Sequence, residues 1–179
     1  MLDRNVSALF VTDIQGRLAS LMDERESLYR NVGILIEGIK ILGIPILWIE
    51  QYPQGLGPTV PEISVHLEGL SPLPKKTFSS LREPAIQGAF EKLQRRQVIL
   101  IGIETHICIY QTSMDLLAQG AEVHIPVDAV SSRTGRNRRI GLKKIERAGG
   151  QLTSVETVLF ELLTVAEGEE FKKIVQLVK

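Results

Sequence analysis

Chemistry-bearing side chains recur in this chain where strand-like runs end. Asp13 follows Val6–Thr12, Glu50 and Gln51 follow Ile44–Ile49, and Asp128 follows Glu122–Ile125 and its two closing residues. Glu104, Thr105, His106 and Cys108 follow Val98–Gly102. In an open parallel sheet, ligands bind outside the carboxyl ends of the strands, so these positions are weighed first. With Thr105 as N-cap, Cys108 is the third residue of the next helix. Backbone N–H groups and the positive helix end there favour a thiolate and lower the thiol pKa. A thiolate is a nucleophile, whereas a lone cysteine in an apolar stretch is equally a buried core residue. Asp13 fits either a general base or a cap for the amides that follow it. Lys75 and Lys76 stand in an irregular segment, where a lysine is ordinarily solvated. His106 lies two residues from Cys108 and does not share its helix face, which argues against a Cys–His pair. Asp128 reads as a structural cap.

The elements that must position these groups alternate short β-branched runs with longer amphipathic ones, the pattern of a parallel α/β sheet. Val6–Thr12 is almost continuously apolar, as a strand covered on both faces should be. A helix over roughly Glu24–Leu42 carries Leu28, Val32, Leu35, Ile36 and Ile39 at the 3.6-residue period. Five of the eight prolines fall between Gln51 and Leu81, which predicts a long functional loop with a short strand near Leu73. Regular texture then resumes: helices near Pro84–Gln94, His106–Ala118, Arg136–Ala148, Val155–Leu163 and Glu167–Val178, and strands at Val98–Gly102, Glu122–Val127 and Gln151–Thr153. The expected architecture is a Rossmann-like three-layer α/β/α sandwich around a mostly parallel sheet of five or six strands, in one domain over residues 1–179.

Composition excludes several classes. The 179 residues hold 21 basic and 21 acidic side chains, and this zero balance carries no footprint of a nucleic-acid or anionic-membrane partner. The basic residues Arg136, Arg138, Arg139, Lys143 and Lys144 read as a solvated helix face, with the approach path of an anionic substrate as the second reading. One cysteine excludes an intrachain disulfide and a Cys-rich zinc site. His66, His106 and His124 are scattered, so no metal site is expected, and neither GxGxxG nor GxxxxGK[ST] occurs. No cofactor is expected. The N-terminus lacks the pattern of a signal peptide and no run suits a membrane span, which points to a cytoplasmic protein.

Gly102-Ile103-Glu104-Thr105-His106-Ile107-Cys108-Ile109 resembles the G-[VI]-x-T-x-x-C-[VI] signature of the isochorismatase-like cysteine hydrolases. Asp13-Ile14-Gln15 resembles that family's D-x-Q, Lys75-Lys76-Thr77-Phe78-Ser79 its K-x-x-F-S segment, and Asp128-Ala129 its post-strand D-A. The pieces come in the family's order and cover nearly the whole chain. Gln51-Tyr52-Pro53 with Gly55-Leu56-Gly57 is similar to the branch of isochorismatase domain-containing proteins.

The resemblance implies a Cys-Asp-Lys triad of Cys108, Asp13 and Lys75, with Lys76 as the alternative lysine. It implies a cis peptide between Ile103 and Glu104 and an oxyanion hole from the backbone N–H groups of Glu104 and Cys108. Gln15, Gln51 and Phe78 are the substrate-binding candidates. Nicotinamidases of the superfamily take a metal through a D-x-H segment, where this chain reads Glu50-Gln51-Tyr52-Pro53. True isochorismatases lack the cysteine. The expected activity is therefore metal-independent cleavage of a C–N bond in a small amide, ureido or carbamoyl compound through a thioester. The alternatives are a non-catalytic binding protein on the same fold and a vinyl-ether hydrolase. A homo-oligomer, dimer or larger, is implied as well.

Overall fold

The computed structural model describes residues 1–179. Seven parallel strands make one sheet: β1 (Ser7–Thr12), β2 (Ile46–Gln51), β3 (Leu73–Lys75), β4 (Gln97–Ile103), β5 (Glu122–Pro126), β6 (Val130–Ser131) and β7 (Gln151–Thr153). Their order is β3-β2-β1-β4-β5-β7, and β6 pairs with Gly102 and Ile103 of β4. Six strands therefore lie in line, as expected, and the short β6 is the addition. Pro126 ends β5, a tight turn over Val127–Ala129 follows, and only two residues remain to pair.

Nine helices cover the sheet: α1 (Gly16–Ser20), α2 (Arg25–Ile41), α3 (Pro53–Leu56), α4 (Pro61–Ser64), α5 (Pro84–Leu93), α6 (Tyr110–Ala118), α7 (Gly135–Arg147), α8 (Val155–Leu163) and α9 (Gly168–Val178). Alternation along the strands makes two cores. Leu9 and Val11 of β1 pack with Val32, Ile36 and Ile39 of α2, Leu159 of α8 and Ile174 of α9. Phe10 faces the other way, against Ile86 and Phe90 of α5, Leu116 of α6 and Ile145 of α7. Each such buried side chain contributes about 1.5–3 kcal/mol. The apolar stripe of α9 packs on this chain itself: Ile174 is fully buried, with Phe171 and Val178 against the same core.

The long proline-rich loop expected over Gln51–Leu81 is instead a run of single turns. Pro53 opens α3 and Pro61 opens α4, the helix position where a missing N–H costs nothing. No helix is long and apolar enough to cross a membrane.

The chain runs from β1 outward to β2 and β3, then returns to lay β4 on the other side of β1. The strand order reverses between β1 and β4, and their carboxyl ends flank the crevice where such sheets bind ligands. Gly102 lets the two strands close there. A Cβ at that residue would stand 1.9 Å from the Thr12 carbonyl oxygen, and its φ of 120° disfavours any side chain.

Candidate active site

Asp13 is the first residue past β1. It holds a left-handed backbone (φ 60°), and the Gln15 amide donates to its carbonyl at 2.8 Å. This turn leaves the carboxyl buried at the mouth of the crevice, 3% exposed. Lys75 ends β3, two strands away, and is only 2% exposed. Its Nζ passes the end of β2 to donate to Asp13 Oδ2 at 2.7 Å. Gln51 Oε1, the Thr77 carbonyl at 3.2 Å and the Phe78 carbonyl at 3.3 Å surround the same ammonium. Four acceptors for three N–H donors hold it in place. Lys76 points elsewhere, its ammonium 5.6 Å from the Tyr52 ring centroid, so geometry puts Lys75 and not Lys76 beside Asp13.

Cys108 arrives from the other side of the switch point. β4 ends at Ile103, the Ile103–Glu104 peptide is cis, and Thr105–Ile109 form one wide π-type turn leading into α6. Two expectations fail here. Thr105 does not cap the helix: it lies inside the turn, Glu104 holds the capping position, and the Thr105 hydroxyl donates to the Ser131 carbonyl at 2.9 Å. The newly formed β6 supplies that competing acceptor. The thiol pKa is also raised rather than lowered, first by burial and then by the neighbouring Asp13 charge. Lys75 and the Glu104 backbone N–H pull it back only in part. Burial and the Asp13 charge thus favour the protonated S–H form.

Burial also raises the Asp13 pKa, outweighing the opposing effect of Lys75. Asp13 Oδ1 is buried and makes no well-formed hydrogen bond, while the Cys108 thiol lies close enough to shift the titration of the pair. Both groups open on a cavity of about 110 Å³ lined by Leu18, Gln51, Leu56, Phe78, Ile103, Glu104 and Ile107 as well. Its walls are chiefly apolar. Phe78 is 56% exposed and stands at the rim.

The other sequence candidates separate. Gln15 is a correction: it is fully buried, outside the cavity lining, and engaged with backbone throughout. Its Oε1 accepts from Gln51 N at 2.6 Å, and its Nε2 donates to the Gln51 and Gly57 carbonyls. It pins the segment after β2 to the end of β1. Gln51 does line the cavity, yet its Oε1 holds Lys75 and its Nε2 donates to the Lys76 carbonyl, so its side chain positions the ammonium. Asp128 caps α8 through Val155 N at 2.9 Å, and His106 Nδ1 pairs with Ser132 Oγ at 3.0 Å. No group of three or more His, Cys, Asp or Glu side chains could hold a metal ion.

Sequence reasoning missed Leu18, Leu56, Ile103 and Ile107 as cavity walls. It also missed the Glu104 carboxylate, whose Oε1 accepts from both Arg133 N and Arg133 Nε at 3.1 Å. Apolar residues on single-turn helices carry no periodic signal, and the Glu104–Arg133 contact depends on β6.

A buried cysteine, carboxylate and ammonium gathered at the switch point of a parallel α/β sheet define a cysteine-hydrolase type of site. Residues 7–157 match the model of the isochorismatase domain, and the chain belongs to the isochorismatase family of hydrolases. It is 38% identical over 174 residues to isochorismatase domain-containing protein 2 of Bos taurus, covering 97% of this chain and 83% of that one. It is 37% identical to the secreted isochorismatase effector Isc1 of Phytophthora sojae, covering 97% and 84%. The solved structure of the MAR1 ribonuclease of Caenorhabditis elegans superposes with a TM-score of 0.92 at 37% identity, covering 99% of this chain and 91% of that one.

Proposed function

We propose that the protein is a metal-independent cysteine hydrolase that cleaves the C–N bond of a small amide, ureido or carbamoyl compound, with Cys108 as nucleophile, Asp13 as general base and acid, and Lys75 as the charge that steadies both. The observation that carries this reading is the buried Lys75–Asp13 pair set against the Cys108 thiol, with Asp13 Oδ1 left unpartnered.

The steps follow from the geometry. Asp13 takes the thiol proton as sulfur attacks the carbonyl carbon, and burial makes its carboxylate a stronger base than an exposed aspartate. Lys75 compensates the negative charge that Asp13 and Cys108 exchange. The backbone N–H groups of Glu104 and Cys108 hold the oxyanion, a contribution typically worth about 3–4 kcal/mol of barrier for one such donor. Collapse breaks the C–N bond, and Asp13 returns its proton to the departing amine. Water then attacks the thioester, again giving its proton to Asp13. The carboxylic acid leaves and the thiol is restored. Carbonyl addition of this kind needs no metal.

The small, mainly apolar cavity favours a compact uncharged substrate. Leu21, Tyr52, Leu56 and Phe78 are exposed apolar residues, and Leu56 and Phe78 line the cavity itself; this suits a homo-oligomer contact beside the cavity.

The test is a hydrolysis panel of small amides, ureido compounds, nicotinamide and isochorismate, with wild type beside Cys108→Ala. Amide turnover lost in the variant is the expected result. Turnover that survives in Cys108→Ala, or cleavage of isochorismate alone, contradicts the covalent reading. Silence across the panel favours a binding protein on this fold.

A further inference from the structure

The zero net charge of the chain conceals a segregated cationic stripe on α7. That helix carries Arg136, Arg138, Arg139, Lys143, Lys144 and Arg147 against one acid, Glu146. Its buried side rests on Gly141 and Ile145. Gly141 packs so closely on the Cys108 turn that a Cβ there would stand 2.6 Å from the Thr105 carbonyl oxygen. Arg138 turns inward, pairing with Glu24 and donating to the Val127 carbonyl.

The other five cations are exposed, and none has an acidic partner within salt-bridge distance. Lys144 stands 4.1 Å from the Tyr110 ring centroid, which steadies it without neutralising it. At about 100° per residue, Arg139, Lys143, Arg136, Arg147 and Lys144 fall within an arc of about 140°. Arg136, Lys143 and Arg147 form its spine, about 16 Å long at 1.5 Å per residue.

The acidic surface is different in kind. Glu170 pairs with Arg4, Glu169 with Lys172 and Asp115 with Arg82, while Glu161 accepts from Leu2 N. Exposed acids without a salt bridge, such as Glu62, Glu68, Glu91, Glu156 and Glu167, lie singly on separate elements, so no one helix of a second copy presents a matching acidic stripe. Ile140 is the one exposed large apolar residue of α7, too little for insertion into a lipid surface. Five unpaired cations along one helix face match a partner that carries several anions in a row. One strand of a nucleic acid rises about 3.4 Å per phosphate, so about five phosphates fit the stripe's length.

We propose that the exposed face of α7 binds the phosphodiester backbone of a nucleic acid, without sequence preference and separately from the hydrolytic cavity. RNA and DNA share this chemistry, and the test separates them. Fluorescence anisotropy is read with labelled 12-nucleotide single-stranded RNA, single-stranded DNA and duplex DNA at salt from 50 to 200 mM. Five backbone contacts on a single strand give a log–log salt slope of roughly −3.5, an affinity loss of about 100-fold over that range. Arg136→Glu/Lys143→Glu/Arg147→Glu should abolish binding. Lys172→Glu/Lys173→Glu/Lys179→Glu makes the same change in net charge on α9 and beyond, and should bind within about threefold of wild type. Arg136→Gln alone should flatten the single-strand slope by about 0.7, which keeps the test open if the triple variant does not fold.

The proposal is overturned if no oligonucleotide binds at 50 mM salt, or if the α7 and α9 variants lose binding equally. It is also overturned if polyglutamate or phosphatidylserine vesicles bind the stripe while oligonucleotides do not.

Discussion

At the carboxyl end of the sheet, Asp13, Lys75 and Cys108 are buried around a cavity, and Asp13 Oδ1 has no partner. At the amino end, Gln97 is just as buried, yet every polar position of its side chain is in use. Its Oε1 accepts from Asp3 N at 2.8 Å and Ser7 Oγ at 3.1 Å, and its Nε2 donates to the Met1 carbonyl and Glu122 Oε2. Both clusters sit beside the same strands, β1 and β4. The amino-end cluster ties the first residues of the chain to the sheet and leaves nothing to react. The carboxyl-end cluster keeps one acceptor free and one proton to move, and has space beside both. Burial alone thus singles out neither cluster; an unpaired acceptor next to a thiol and a cavity makes the carboxyl-end cluster the candidate site.

Substitutions should separate the two ends. Cys108→Ala is expected to lower amide turnover by about 10⁴-fold or more, judged by loss of a nucleophile elsewhere, with little change in unfolding midpoint. Lys75→Met leaves a buried carboxylate unpaired. It should cost about 3–5 kcal/mol in denaturant unfolding as well as activity, and adding Asp13→Asn should recover part of that stability. If the double variant is no more stable than Lys75→Met, the pair is not coupled as described. Gln97→Leu should cost about 1–3 kcal/mol by leaving its four partners unsatisfied, while kcat/KM stays within about twofold.

The pH dependence has the smallest expected effect. The acid limb of kcat/KM should lie above the ordinary aspartate value of about 3.9, since Asp13 must be ionised to accept the proton and its pKa is raised. The same upward shift means that Asp13's stabilising contribution is fully present below that value and is lost as pH rises through its folded pKa. Iodoacetamide at pH 7 should modify Cys108 more slowly than it modifies a free thiol, because burial and the Asp13 charge raise the thiol pKa.

How much of this is legible in the sequence differs between elements. The β1 and β4 strands are plain because burial on both faces demands continuous apolar runs, and Asp13 and Cys108 follow from where those runs stop. Family resemblance selects Lys75, and its four acceptors give that choice a physical basis. Thr105 has the type of an N-cap, but local propensity cannot foresee β6, whose Ser131 carbonyl takes the hydroxyl. The direction of the thiol pKa shift is not legible for a related reason: helix-end polarity is local, while desolvation is set by the whole fold. Gln15 carried a motif signal yet serves the backbone around Gln51 and Gly57. The basic run on α7 is visible in the sequence as a solvated helix face, but which of its cations lack an acidic partner depends on the packing around the helix.

The most direct measurement is the mass of the enzyme quenched during turnover of whichever panel amide it hydrolyses fastest, followed by peptide mapping. The account predicts a mass gain equal to the substrate less its amine, located on the peptide containing Cys108 and absent from Cys108→Ala. Steady turnover with Cys108 unmodified, and retained in the alanine variant, would contradict it.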